Sequence, residues 1–92
     1  MNILVRYHGV FAQMAACREE RLALPDDASL LDALKLVGRR HPALAEALFL
    51  ASGAPAPYAR PIVNGALSTP DTLGDRLRDG DTVMLLPALS GG

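Results

Sequence analysis

The sequence predicts an α+β fold: a mixed sheet with one main helix packed on one face. Three observations predict it. The opening residues alternate apolar and polar in the manner of a half-buried strand. A single amphipathic helix with its own cap signals occupies residues 29–42. After residue 60 the chain returns to strand patterns, the last of them apolar on both faces. Early and late strands are expected to be neighbours at the sheet centre.

Taken in order, residues 2–8 place Ile3, Val5 and Tyr7 on one face, and Gly9 breaks the run. Residues 18–24 read as a second strand with Leu22 and Leu24 inward, ended by Pro25. A loop over 10–17 joins the two as a simple meander. Ser29 is a good N-cap for the helix, and Asp32 three residues on resembles a capping box and suits the helix N-terminus. Leu30, Ala33, Leu34 and Val37 form one apolar stripe. Gly38 weakens the last turn, where Arg39, Arg40 and His41 complement the helix dipole. Pro42 starts a shorter helical stretch over 42–50, and residues 51–61 hold too much Gly and Pro for regular structure. A short strand then reaches the Asn64-Gly65 pair, a strong hairpin signal. Residues 69–81 are turn-rich, with Leu73 and Leu77 as anchors, and 82–89 form the final strand.

The chain has 92 residues, read as one domain over 1–92 with a flexible tail at 88–92. Its net charge of −1 comes from interspersed acids and bases, and only two Tyr and two Phe offer stacking surfaces, which argues against a nucleic-acid partner. The single cysteine, Cys17, has no internal disulfide partner, which suits a reducing compartment. No apolar run approaches the roughly 20 residues of a membrane span, and the N-terminus lacks a signal-peptide pattern. A soluble cytoplasmic domain is the expectation.

Candidate chemistry gathers at the C-terminal end. In the last strand Val83 and Leu85 point one way and Met84 and Leu86 the other, and both pairs are apolar. One pair covers the helix; the other is covered by the second helix or the 51–60 loop, or it docks a partner. Ala88–Gly92 has neither period nor cap. It is either a frayed end or a thread spanning roughly 17 Å at about 3.3–3.6 Å per residue. Gly91 and Gly92 carry no Cβ, so a narrow channel can close around them. The terminal carboxylate of Gly92 is then the useful group, ionised and unreactive until activated. Elsewhere the residues offer little. His8, His41 and Cys17 are scattered, no two His or Cys have metal-ligand spacing, and no phosphate-binding glycine loop follows a strand. Neither a metal site nor an enzyme acting alone is expected.

Taken together, "VRYHGVFAQMA", "SLLDALKLVGRRHP", "PIVNG" and "LRDGDTVMLLPALSGG" resemble the MoaD/ThiS family of ubiquitin-like sulfur carriers over nearly the whole chain. The most specific element is D-G-D-x-V-x-x-x-P-x-x-x-G-G, here Asp79, Gly80, Asp81, Val83, Pro87, Gly91 and Gly92. The resemblance implies a β-grasp fold and a non-catalytic protein co-substrate that binds no cofactor. A MoeB/ThiF-type adenylyltransferase, similar to the ubiquitin-activating enzymes, would use ATP to adenylate Gly92, and sulfur would replace AMP as a thiocarboxylate. Leu89, Ser90 and Gly91 would form the inserted tail, and Met84, Leu86, Pro87 and His8 the partner-binding surface. The "VRY-G" and "RHP" matches favour the molybdopterin synthase small subunit, whose acceptor is a MoaE-type large subunit. His8 stands where many members carry an aromatic residue, "LPALSGG" lacks a common Pro-Pro pair, and residues 50–60 form a longer insertion. Carriers for thiazole, cysteine or tRNA thiolation, and ubiquitin-like protein modifiers, therefore stand as alternatives.

Overall fold

A computed structural model describes residues 1–56 and 59–87, with the backbone alone at 59 and 60. The elements run β1 (Asn2–Tyr7), α1 (Val10–Ala15), β2 (Glu19–Ala23), α2 (Leu30–Arg40), α3 (Pro42–Leu48), β3 (Ala59–Val63), β4 (Ala66–Leu67) and β5 (Thr82–Pro87). One five-stranded sheet has the order β2-β1-β5-β3-β4. β1 and β5 pair in parallel at its centre and the other pairs are antiparallel, so the sheet is mixed. This is the β-grasp arrangement that the resemblance implies.

The alternation in β1 and β5 is realised as read. Ile3, Val5, Tyr7, Leu22, Val83 and Leu85 are buried, and with Leu30, Ala33, Leu34, Val37, Leu44 and Leu48 they form one core. At the start of α2 the Ser29 hydroxyl accepts from the Asp32 N–H at 3.1 Å, and the Ser29 N–H donates to the Asp32 carboxylate at 3.0 Å. Such a cap stabilises a helix by about 1 kcal/mol. The next two N–H groups, of Leu30 and Leu31, have no partner within the helix. The carbonyls of Asp75 and Leu73 take them at 3.0 and 2.9 Å, so the 69–81 segment closes the helix end. Leu77 is buried there and Leu73 packs against the core, as expected of the two anchors.

Three expectations are corrected. The loop read over 51–61 gives way to a strand at its end, since residues 59–61 open β3 and pair with β5. The segment 10–17 is not a simple loop: Val10–Ala15 form α1, which buries Phe11 and Ala15 four residues apart. Six residues cannot hold a helix by propensity, and α1 has no side-chain cap; packing makes it. Gly38 does more than weaken a turn. It is buried where α2 meets α3, and a Cβ there would sit 3.2 Å from the Cβ of Ala45. Its missing side chain lets the two helices approach.

The hairpin at Asn64-Gly65 has the expected backbone, with φ of 50° and 86°. Asn64 also splices the turn to β5: its amide donates to the Asp81 carboxylate and accepts from the Thr82 N–H, each at 2.9 Å. Asp79-Gly80-Asp81 sets the central register. The Asp79 carboxylate accepts from the Asn2 N–H at 2.7 Å, the Gly80 N–H donates to the Asn2 carbonyl at 2.8 Å, and the Leu4 N–H donates to the Asp81 carbonyl at 2.9 Å. Gly80 makes this turn at φ 85°, open to glycine at no steric cost.

Candidate functional site

The register set by the Asp79–Asp81 turn carries β5 up the middle of the sheet and ends it at Pro87. There the His8 N–H donates to the Leu85 carbonyl at 3.0 Å. Gly9 follows at φ 58°, and a Cβ on it would lie 3.7 Å from the Pro87 ring, so the turn after β1 lies against the end of β5. His8 is exposed and Pro87 half-buried at this corner. Leu89, Ser90, Gly91 and Gly92 lie outside the described residues, as does residue 88.

Met84 and Leu86 are half-buried on the face opposite the helices. The register places Met84 between Arg6 on β1 and Ile62 on β3, with Leu67 beyond Ile62 on β4. Leu4 and Ile62 are also half-buried, and Leu67 is 51% exposed. An apolar strip thus crosses four strands beside the root of the tail. α3 does not cover it, since Leu44, Ala47 and Leu48 enter the same core as Val83 and Leu85. A strip of this kind, rimmed by the exposed Arg6, Glu19 and Arg21, can seat another protein.

The other face holds a polar cluster whose central residue was not singled out in the sequence. Glu20, half-buried on β2, accepts from the Tyr7 hydroxyl and lies 2.7 Å from His41 Nε2; its second oxygen is 3.7 Å from the Arg40 guanidinium. Burial alone would raise the Glu20 carboxyl. The hydrogen bonds from Tyr7 and His41 and the charges of His41 and Arg40 outweigh it and hold the group below the ordinary carboxylate range. Burial and the same carboxylate push the Tyr7 hydroxyl far up. Desolvation, then the Glu20 charge, also raises the Cys17 thiol, which keeps it protonated and unsuited to nucleophilic attack. Glu20 escapes sequence reading because its partners come from residues 7, 40 and 41. His41 sits between α2 and α3 and ties that junction to the sheet, beyond the dipole role expected of it.

Among the described residues no helix is long and apolar enough to cross a membrane.

The ThiS family model matches residues 5–92. Among solved structures, SAMP1 from Haloferax volcanii is 28% identical and superposes with a TM-score of 0.90 over 100% of both chains. The putative molybdopterin converting factor, subunit 1, from Pyrococcus furiosus is 27% identical, with a TM-score of 0.80 over 97% of this chain and 99% of that one. Urm1 from Trypanosoma brucei, at 21% identity and a TM-score of 0.75 over 99% and 95% of the two chains, shares the fold. No curated protein matches the sequence. With its mixed β-grasp sheet, its D-G-D turn and a family match that reaches residue 92, the chain belongs to the ThiS family of ubiquitin-like sulfur carriers and modifiers.

Proposed function

We propose that this protein carries sulfur on the carboxylate of Gly92 and delivers it to the synthesis of molybdopterin. The observation that carries the reading is the course of β5. Its parallel pairing with β1 brings the strand to its end at Pro87, next to the apolar strip of Leu4, Ile62, Met84 and Leu86. A partner seated on the strip would receive the tail in its own cleft. Five residues reach roughly 17 Å at about 3.3–3.6 Å each.

The chemistry follows from the terminal group. An ionised carboxylate repels nucleophiles, so an adenylyltransferase of the MoeB/ThiF type first joins a Gly92 oxygen to the α-phosphate of ATP, releasing pyrophosphate. A sulfur donor then attacks the carbonyl carbon and AMP leaves with its oxygen. Gly91 and Gly92 present no side chain to either approach. The carrier itself supplies no acid, base or metal to these steps. Its part is to position the carbonyl, and Met84, Leu86, Pro87 and His8 supply the docking surface. The molybdopterin assignment draws support from the likeness to the Pyrococcus furiosus protein, and its partner would be a MoaE-type large subunit.

The likeness to SAMP1 favours a second reading, a protein modifier joined through Gly92 to lysines of other proteins. One experiment separates the two. Incubation with ATP, the adenylyltransferase and a sulfur donor should give an intact mass increased by one oxygen-to-sulfur exchange, and adding the large subunit should discharge it. Absence of that exchange with every cognate activating enzyme would refute the carrier. Thiol-stable, higher-mass conjugates lost on deleting Gly92 would establish the modifier.

A further inference from the structure

We propose that Cys17, Glu20 and His41 form a zinc site on the helix face of the sheet, away from the tail and its docking strip. The three residues come from the turn after α1, from β2 and from the junction of α2 with α3. The fold brings the Cys17 Sγ, a Glu20 carboxylate oxygen and a His41 ring nitrogen within 4.8 Å of one another. Around tetrahedral zinc, with bonds of about 2.0–2.3 Å, such donors stand about 3.3–3.8 Å apart. Closing on the ion therefore asks no pair to draw in by more than about 1.5 Å, and asks His41 and Glu20, now 2.7 Å apart, to part by about 0.6 Å.

The donor set selects the metal. Thiolate, imidazole and carboxylate are the three zinc ligands of proteins, whereas magnesium and calcium take oxygen almost alone. Two anionic ligands balance the charge of the ion, and the half-exposed Arg40 guanidinium beside them keeps its own charge in contact with water. The thiol proton leaves for solvent as the sulfur–zinc bond forms. Supports for the ligands are already in place: the Tyr7 hydroxyl orients the Glu20 carboxylate, and Arg40 lies against its other oxygen. The His41 and Glu20 side chains keep 17% and 15% of their surface exposed, and Cys17 lines an open cleft beside α1, so the ligands can be reached from solvent. A zinc ion there would clamp the α2–α3 junction to the edge of the sheet that β2 forms. Ligand spacings of three and 21 residues match no short metal motif, which explains the contrary expectation from sequence.

Cobalt tests this directly. The untagged protein, stripped with a chelator, should bind one Co2+ per chain. Binding should give a sulfur-to-cobalt charge-transfer absorption and the intense visible bands of a tetrahedral ion, both lost on adding Zn2+. Cys17→Ser should abolish the charge-transfer band, and His41→Gln should weaken zinc binding at least about tenfold, the lower end of what even a supporting contact contributes. Cys17 makes no hydrogen bond that folding needs, so Cys17→Ser decides the matter if His41→Gln fails to fold. Deleting Gly91 and Gly92 should leave metal binding unchanged, which separates this result from the fate of the carrier reading. The proposal is overturned if the charge-transfer band is absent, or if affinity is the same in Cys17→Ser or in a folded His41→Gln.

Discussion

Placing an aspartate on either side of β5 tests the assignment of its two faces. Val83 is 1% exposed and Leu86 half-buried on the opposite side, three positions along the same strand. Val83→Asp removes a buried side chain whose burial stabilises by about 1.5–3 kcal/mol. It also buries a carboxylate with no positive partner, at a further cost of several kcal/mol even after the group protonates. The sum rivals the roughly 5–15 kcal/mol that holds a domain of this size together. Val83→Asp is therefore expected to be unfolded at 25 °C by circular dichroism. Leu86→Asp keeps its charge within reach of water and forfeits part of one leucine's burial. A loss of about 1 kcal/mol, or 4–8 °C in Tm for a chain of this length, is expected. In a pull-down against the adenylyltransferase or the large subunit, however, Leu86→Asp should bind no detectable partner. Leu86→Ala should weaken binding by about 2 kcal/mol if Leu86 lies at the centre of the interface. Equal thermal losses in the two aspartate variants would refute the face assignment, and full binding by a folded Leu86→Asp would refute the docking strip.

Three further outcomes concern the scaffold. Asp81 accepts from the Arg78 N–H at 2.8 Å and the Asn64 amide at 2.9 Å, so Asp81→Ala should lower stability by about 1–2 kcal/mol in urea denaturation. Gly38→Ala gains about 1 kcal/mol of helix propensity but drives a methyl against the Cβ and backbone of Ala45, neither of which can swing aside. Its Tm should fall, and adding Ala45→Gly should restore it; a rise in the single variant would show that the helices part freely. Because the folded Glu20 carboxyl lies below its unfolded value, its contribution is complete above the ordinary carboxylate range and is lost as pH falls through the depressed value. Glu20→Gln should flatten that acidic limb of the stability profile, and an unchanged limb would place the titration elsewhere.

What could be read in the sequence divides along the range of the interactions. β1 and β2 were legible because alternation records burial directly, and β5 because a short apolar run bounded by turn residues reads as a strand; Ile3, Leu22 and Val83 are all within the core. α2 was legible because its cap and stripe are local, and so was the Asn64-Gly65 turn. α1 was not, since Val10–Ala15 owes its helix to contacts of Phe11 and Ala15 with distant elements. The role of Gly38 depended on Ala45 in the next helix, and that of Glu20 on Tyr7 and His41, pairings that no local pattern encodes. At the candidate site the apolar split of β5 was visible in four consecutive residues. The placement of His8 and Gly9 against Pro87 required the parallel register, which rests on hydrogen bonds between residues nearly eighty positions apart.

That parallel pairing also governs when the carrier becomes competent. β1 joins β5 across the sheet centre, so the whole stretch of chain between them must be closed into a loop before the pair forms. Contacts so distant in sequence raise the contact order and slow folding, because chain entropy is lost before the pairing returns any energy. Until β5 docks, the sheet lacks its middle strand, and β1 and β3 cannot be bridged. The strip beside Pro87 comes into being only when β5 slots in. On the proposed function, an activating enzyme that reads both the strip and the carboxylate would distinguish folded molecules from unfolded ones, and would spend ATP on a terminus only after the domain behind it has folded.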